Sequence, residues 1–153
     1  MRNPFILAFA SLLLCGAPAM AQEPAPGYDA ALAEKLGADK HGMRSYVFVL
    51  LRTGPTRVED PEARKAMFAG HMANMGRLAE EGKLAFAGPF DGVDGWRGMF
   101  VFATDDIEEA KAWVATDPVI VNGEMVAEYH KLYGSAALMM VDELSRKIAI
   151  EPL

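Results

Sequence analysis

Two side chains in this sequence have the types and the setting that acid–base chemistry needs, His71 and Asp117. His71 lies in a stretch where apolar residues recur at spacings of three and four, which predicts that it faces the core side of a helix. Asp117 precedes Pro118 and is predicted to end a second helix. If both helices cover one face of a sheet, the carboxylate can fix the tautomer of the imidazole and raise its basicity. We therefore treat the two residues as a candidate catalytic pair.

Each residue of the pair also has an interpretation without catalysis. A single histidine on an apolar helix stripe is more often a hydrogen-bonded core or rim residue than a catalyst, and Asp-Pro is a common helix-ending turn. Two further polar residues of the same helix extend the candidate site: Arg64, two turns before His71, and Asn74, almost one turn after it. Either one is suited to bind an anionic or enolate oxygen of a substrate.

Other kinds of site are disfavoured by the sequence. The three histidines are spread along the chain without the spacing of metal ligands, so we predict no metal site. The sequence shows neither the glycine-rich turn of a nucleotide site nor a serine hydrolase motif, and we predict no cofactor. A net charge of −6 without a basic cluster disfavours binding to nucleic acid.

The first residues predict export. Residues 1–21 combine a basic start, an apolar run and an Ala-Met-Ala pattern before Gln22, which is typical of a secretory signal peptide. A lipid anchor at Cys15 is the alternative, and Leu14 disfavours it because lipoprotein signals normally carry a small residue at that position. Cleavage before Gln22 would remove the only cysteine. We expect the mature protein to be periplasmic or secreted, without attachment to the membrane.

The remaining chain predicts one α+β domain between two extensions. Residues 22–43 are a leader or linker with prolines near its start. Apolar and β-branched runs predict four strands, and Asp60 and Thr104 are the predicted caps of two helices. The order βαββαβ in residues 44–134 is that of a ferredoxin-like fold with both helices on one face of the sheet. Residues 135–153 add a C-terminal helical extension.

The second face of the sheet is predicted to be apolar without a helix to cover it. Strands as apolar as residues 47–51 leave a large exposed surface, which usually marks a partner. We therefore expect a homodimer in which the sheets of two protomers pack together. Apolar residues of the C-terminal helix are an alternative cover for part of this face: Leu138, Met139, Val141, Leu144 and Ile148.

An ordered set of short motifs connects these features with a known family. The motifs are R-x6-H from Arg64 to His71, EGKL at 81–84, AGP at 87–89, EAKAW at 109–113 and D-P-x4-G from Asp117 to Gly123. In this order and spacing they resemble the YciI-like, or YCII-related, proteins over residues 45–133. The chain is identified as an exported member of that family.

The resemblance implies a fold and a range of chemistry. The implied fold is a dimeric α+β barrel of two ferredoxin-like units, with a small pocket that contains the histidine and the Asp-Pro aspartate. Some relatives resemble cofactor-independent lyases that remove HCl from chlorinated hydroxyquinones, and the wider superfamily includes isomerases and small monooxygenases. We expect a small organic ligand and a lyase or isomerase reaction at His71 and Asp117. The alternatives are a non-catalytic periplasmic dimer that binds a small ligand, and a purely structural role.

Overall fold

The computed structural model describes residues 23–151, so the predicted signal peptide lies outside the described residues. Four antiparallel strands form one sheet in this part of the chain: β1 (Met43–Thr53), β2 (Leu84–Pro89), β3 (Trp96–Phe102) and β4 (Met125–Ser135). Their spatial order is β2-β3-β1-β4. This mixed α+β architecture is consistent with the ferredoxin-like fold predicted from the sequence.

Five α-helices accompany the sheet within residues 23–151. They are α1 (Ala30–Lys35), α2 (Pro61–Glu80), α3 (Ile107–Val114), α4 (Pro118–Val121) and α5 (Val141–Ile148). Short 3₁₀ turns precede β3 and follow β4, at Val93–Gly95 and Ala136–Met140. None of the helices in the described residues combines the length and apolar character that crossing a membrane requires.

The long helix α2 is fixed at both ends by local chemistry. The Asp60 carboxylate caps its first turn by accepting the backbone N–H of Ala63 at 2.7 Å, and Pro61 occupies the first helical position. Beyond its last residue, Gly82 adopts φ +69, a left-handed conformation that glycine tolerates best. The predicted Asp60 cap is confirmed. Met67 and Leu78 are the buried residues of α2, so their side of the helix meets the sheet.

The start and the end of α3 differ from the prediction. Thr104 was predicted as the cap, but the side chain that caps α3 is Asp106, which accepts the N–H of Glu108 at 2.8 Å. The Thr104 hydroxyl instead accepts the N–H of Asp106. The helix ends at Val114, so the prediction that Asp117 ends it is wrong. Asp117 begins the separate short helix α4.

The main hydrophobic core lies between the sheet and helices α2, α3 and α4. In the central strand β1, Val49 pairs with Phe100 of β3 on one side and Tyr129 of β4 on the other. Burial of an aliphatic or aromatic side chain of this size contributes about 1.5–3 kcal/mol. The residues of this core that come from the helices are Met67, Leu78, Ala110, Val114 and Val119.

The opposite face of the sheet carries a smaller cluster of three buried residues, Tyr46, Ala85 and Val101. Leu138 and Met139, from the 3₁₀ turn after β4, pack against this cluster. By contrast, Leu144 and Ile148 of α5 are exposed, Ile148 at 82%. The C-terminal extension therefore covers part of this face through Leu138 and Met139, and α5 lies against β2 with Leu144 and Ile148 turned to solvent.

Candidate functional site

The structure brings His71 and Asp117 into direct contact. Nδ1 of His71 lies 2.8 Å from Oδ2 and 3.0 Å from Oδ1 of Asp117. The side chain of His71 is 12% exposed and that of Asp117 only 1%. Because an ionised carboxylate accepts hydrogen bonds and cannot donate them, Nδ1 carries the proton in this contact. In the neutral ring, the lone pair is then on Nε2.

Nε2 of His71 is the ring nitrogen left for chemistry. Within residues 23–151 the ring forms its hydrogen bonds through Nδ1 alone. In the same part of the chain, every fully enclosed side-chain nitrogen or oxygen has a hydrogen-bond partner. Nε2, which has none, is therefore reachable by solvent or by a ligand. An accessible imidazole nitrogen with a lone pair is a suitable proton acceptor.

Asp117 is oriented by the backbone of α4. Its backbone is extended, and Oδ1 accepts the N–H of Val119 at 3.1 Å, so Asp117 is the N-cap of this helix. Pro118 occupies the first helical position, where its missing N–H costs nothing. The turn therefore holds the carboxylate in place independently of the histidine.

A glycine allows α2 to approach this turn closely. A Cβ atom on Gly70 would lie 3.0 Å from Cγ of Pro118, whereas carbon atoms normally pack at about 3.5–4.0 Å. Gly70 precedes His71 and Pro118 follows Asp117, so the close approach brings the imidazole to the carboxylate. The sequence analysis missed Gly70. The signal in the sequence was a glycine inside a predicted helix. Such a glycine lowers the stability of a helix by about 1 kcal/mol relative to alanine, which suggests that close packing requires it.

Two phenylalanines flank the imidazole of His71. Phe68 meets it edge-on with ring centroids 6.2 Å apart, and Phe100 lies tilted at 6.1 Å. Phe100 belongs to the buried core, whereas Phe68 is partly buried. Apolar walls with a few polar groups are the usual composition of small-molecule sites.

Arg64 is held by a buried carboxylate, Glu124, which the sequence analysis did not single out. Nε and Nη2 of Arg64 donate to Oε1 of Glu124 at 3.3 and 2.8 Å, and Oε2 accepts the backbone N–H of Val58 at 3.0 Å. The Glu124 side chain is 4% exposed. The hydrogen bond from Val58 and then those from Arg64 lower the pKa of Glu124, although burial opposes the shift.

Arg64 also shares an aromatic neighbour with His71. Its guanidinium carbon lies 4.8 Å from the ring centroid of Phe68, the ring that His71 meets edge-on. Nη1 of Arg64 makes no hydrogen bond within residues 23–151, and the side chain is 31% exposed. A free donor for an anionic oxygen is therefore present on the same stretch of α2 as the histidine.

Asn74 contacts the other side of the turn that carries Asp117. Its Oδ1 accepts a hydrogen bond from Nη2 of Arg77 at 2.8 Å and lies 3.1 Å from the hydroxyl of Thr116. Asn74 therefore connects α2 to the residue before Asp117. Within residues 23–151 its amide nitrogen makes no hydrogen bond, which leaves this group for a ligand.

The other two histidines lie apart from this site. His41 is exposed in the loop before β1, and His130 points to the opposite face of the sheet from Tyr129, with its ring 6.2 Å from that of Phe48. Among the described residues, no three His, Cys, Asp or Glu side chains converge as a metal site would require.

The fold and the site together define a small α+β protein with a histidine–carboxylate pair suited to proton transfer. A family model for the YCII-related domain matches residues 46–130. The chain therefore belongs to the YCII-related domain family, as the motifs predicted.

One solved structure extends the comparison. It is that of 5-chloro-2-hydroxyhydroquinone dehydrochlorinase from Burkholderia phenoliruptrix AC1100 in complex with 2,5-dihydroxybenzoquinone, which is 21% identical to this chain. The match covers 54% of this chain and 90% of that chain with a TM-score of 0.38. Similarity at this level does not transfer an activity. No curated protein is significantly similar to the chain in sequence.

Proposed function

We propose that this protein binds a small organic molecule beside His71 and catalyses a cofactor-independent lyase or isomerase reaction by proton transfer at Nε2. The proposal rests on one observation, that the two ring nitrogens of His71 differ in their hydrogen bonding. Nδ1 is held 2.8 Å from Asp117, whereas Nε2 has no partner within residues 23–151. Membership of the YCII-related domain family supports a small-molecule site.

The reaction begins when Nε2 of His71 accepts a proton from a carbon or hydroxyl group of the substrate. The electron pair that remains moves into the substrate, where it forms an enolate or expels a leaving group. Asp117 stabilises the imidazolium that results and preserves its orientation. In an isomerisation, Nε2 returns the proton to a different atom of the substrate. In an elimination, the leaving group departs with the electron pair of its bond, and Nε2 then releases the proton to water, so that the net loss is an acid, HCl in the case of a chlorinated substrate.

Arg64 supports this step by binding the oxygen on which negative charge develops. Its free Nη1 group donates a charge-assisted hydrogen bond, which is about twice as strong as one between neutral groups. We assign this role to Arg64 before Asn74, because Arg64 shares the Phe68 ring with His71. The amide nitrogen of Asn74 is the second candidate donor.

We also propose that two protomers form a homodimer through the sheet face opposite α2. Val126 is exposed on this face, Phe48 and Met99 are only partly buried there, and the C-terminal extension packs against another part of it. An apolar surface of this kind favours a second copy of the chain, and the family resemblance implies a dimeric α+β barrel. Sedimentation velocity at micromolar concentration tests the assembly, and a stable monomer would contradict it.

Export is a further proposal. The basic and apolar start of the chain supports a signal peptide that is cleaved before Gln22 and a mature protein in the periplasm or the medium. N-terminal sequencing of the purified protein tests this proposal. A chain that begins at Met1, or at a lipid-modified Cys15, would contradict it.

Chloride release from 5-chloro-2-hydroxyhydroquinone, without air or added cofactor, is the test of the proposed reaction. His71→Gln should lower kcat by about 10²–10⁴-fold, while the affinity for 2,5-dihydroxybenzoquinone changes little. His41→Gln is the control, because His41 lies in an exposed loop away from the site. A His71 variant with full turnover would refute the proton-transfer role. Binding of the quinone without turnover by the unmodified protein would favour the non-catalytic ligand-binding dimer.

A further inference from the structure

The two buried carboxylates Asp117 and Glu124 each bind one side chain of α2, at matching spacings. They are seven residues apart in the chain, and so are their partners His71 and Arg64. Asp117 binds His71 and Glu124 binds Arg64, so the two pairs run antiparallel. Seven residues are about two helical turns, a rise of about 10 Å. The segment 117–124 thus holds two functional side chains of one helix at the same time.

Glu124 is itself fixed by the backbone. Its Oε2 accepts the N–H of Val58, and its carbonyl oxygen accepts the N–H of Gly54 at 2.9 Å. The neighbouring carbonyl of Gly123 accepts the N–H of Thr56 at 3.1 Å. The carboxylate is therefore a rigid acceptor. A buried ion pair adds little to the free energy of unfolding, because the cost of desolvation opposes the attraction between the charges. Stability alone therefore does not account for this pair, whereas the orientation of Arg64 does.

We propose that Glu124 is a positioning residue, which fixes Arg64 so that its free Nη1 group binds an anionic oxygen of the substrate while Nε2 of His71 reaches the reacting atom of the same molecule. The chemical class of the substrate is then a small enolate, phenolate or carboxylate. The inference rests on the proposed function for the role of His71. An arginine that is already fixed loses little conformational freedom when such a ligand binds.

The positioning can be measured without a substrate. In ¹H–¹⁵N NMR spectra, the Nε–H of Arg64, assigned by its loss in Arg64→Lys, should relax as a rigid group. Glu124→Gln removes the charge and leaves one acceptor oxygen, which cannot serve both Arg64 and the N–H of Val58, so the Nε–H group should become mobile. Glu108→Gln is the matched control, because it breaks only the exposed ion pair with Lys111. An Arg64 signal that stays rigid in Glu124→Gln would overturn the proposal.

The consequence for binding can be measured with 2,5-dihydroxybenzoquinone as an anionic probe in isothermal titration calorimetry. Arg64→Met should weaken the affinity by about tenfold or more, and Glu124→Gln by severalfold. In the Arg64→Met background, Glu124→Gln should have no further effect, because it acts through the arginine. An equal loss in both backgrounds would show that Glu124 acts only through the fold and would overturn the proposal.

Two outcomes separate this inference from the proposed function. If the unmodified protein binds the quinone and Glu124→Gln leaves both the affinity and Arg64 unchanged, the positioning role is wrong while the proposed function stands. If the unmodified protein does not bind the quinone, the anionic substrate class and the proposed function both fail, and the NMR comparison still decides the positioning of Arg64. Should Glu124→Gln not fold, Glu124→Asp, which keeps the charge and shortens the side chain, replaces it in both measurements.

Discussion

Gly70→Ala and Gly76→Ala form a matched pair that measures how closely α2 approaches the turn of Asp117. Both glycines lie inside α2, and alanine at either position removes the same freedom from the unfolded chain. A Cβ atom on Gly76 meets nothing within 4 Å, whereas one on Gly70 would lie 3.0 Å from Cγ of Pro118. The difference between the two variants therefore isolates this contact.

The expected magnitudes follow from the two environments. Gly76→Ala should raise the free energy of unfolding by about 0.5–1 kcal/mol, the helix preference of alanine over glycine. Gly70→Ala has the same preference, but Pro118 must move by roughly 0.5 Å to restore an ordinary carbon–carbon distance. Overpacking of this kind costs about 1–3 kcal/mol. Gly70→Ala should therefore lower the free energy of unfolding, by up to about 2 kcal/mol.

Urea unfolding followed by tryptophan fluorescence measures this difference, provided that the m-values of the variants agree. The movement of Pro118 should also separate Nδ1 of His71 from Asp117, which ¹⁵N chemical shifts of the imidazole report. Equal stabilisation by the two alanines would show that the approach of α2 to Pro118 is not close, and the explanation given for the His71–Asp117 contact would then be wrong.

Three further predictions concern the two carboxylates and the uncovered face of the sheet. Asp117→Asn should reverse the tautomer of His71 and abolish turnover. The side-chain amide nitrogen of the asparagine would donate a hydrogen bond to Nδ1, whereas the carboxylate accepts one from it. Imidazole ¹⁵N shifts that still show a protonated Nδ1 would contradict this prediction. The pKa of Glu124 is lowered from 4.5, chiefly by the hydrogen bond from the N–H of Val58. The ionised Glu124 therefore stabilises the fold at neutral pH, and this stabilisation is lost as the pH falls from about 4.5 through the lower pKa of the folded state. Urea midpoints of Glu124→Gln should accordingly fall less steeply in acid than those of the unmodified protein. Met99→Glu should convert the proposed dimer into a folded monomer in sedimentation velocity, and a persistent dimer would place the interface elsewhere.

The strands and the long helix could be predicted from local sequence because their determinants are local. The apolar run at residues 46–51 marks β1, and Asp60-Pro61 marks the start of α2 by a capping rule that does not depend on the rest of the fold. The cap of α3 has three candidates in the sequence. Thr104, Asp105 and Asp106 all have good capping side chains. In the structure the Thr104 hydroxyl accepts the N–H of Asp106 and donates to Glu109, and Asp106 is the cap.

The parts of the site that the sequence did not predict depend on contacts between distant residues. Glu124 follows a glycine at the start of a strand, a position where an acidic residue is usually solvated. It is buried because Arg64, sixty residues earlier, lies against it. The helix α4 has only four residues, too few to show a helical period. Its role as the support of Asp117 therefore became visible only with the fold.

The arrangement of the carboxylates also explains which groups of His71 and Arg64 are left for chemistry. A carboxylate as buried as Asp117 or Glu124 needs a partner, because an unpaired buried charge is very costly. Both partners come from α2, so a shift of this helix by one residue would break both pairs at once. The pairs thereby fix the position of α2 along its axis and its rotation. Once Nδ1 of His71 and the Nε edge of Arg64 are bound to the two carboxylates, Nε2 and Nη1 are the groups that these two side chains keep for the proposed ligand.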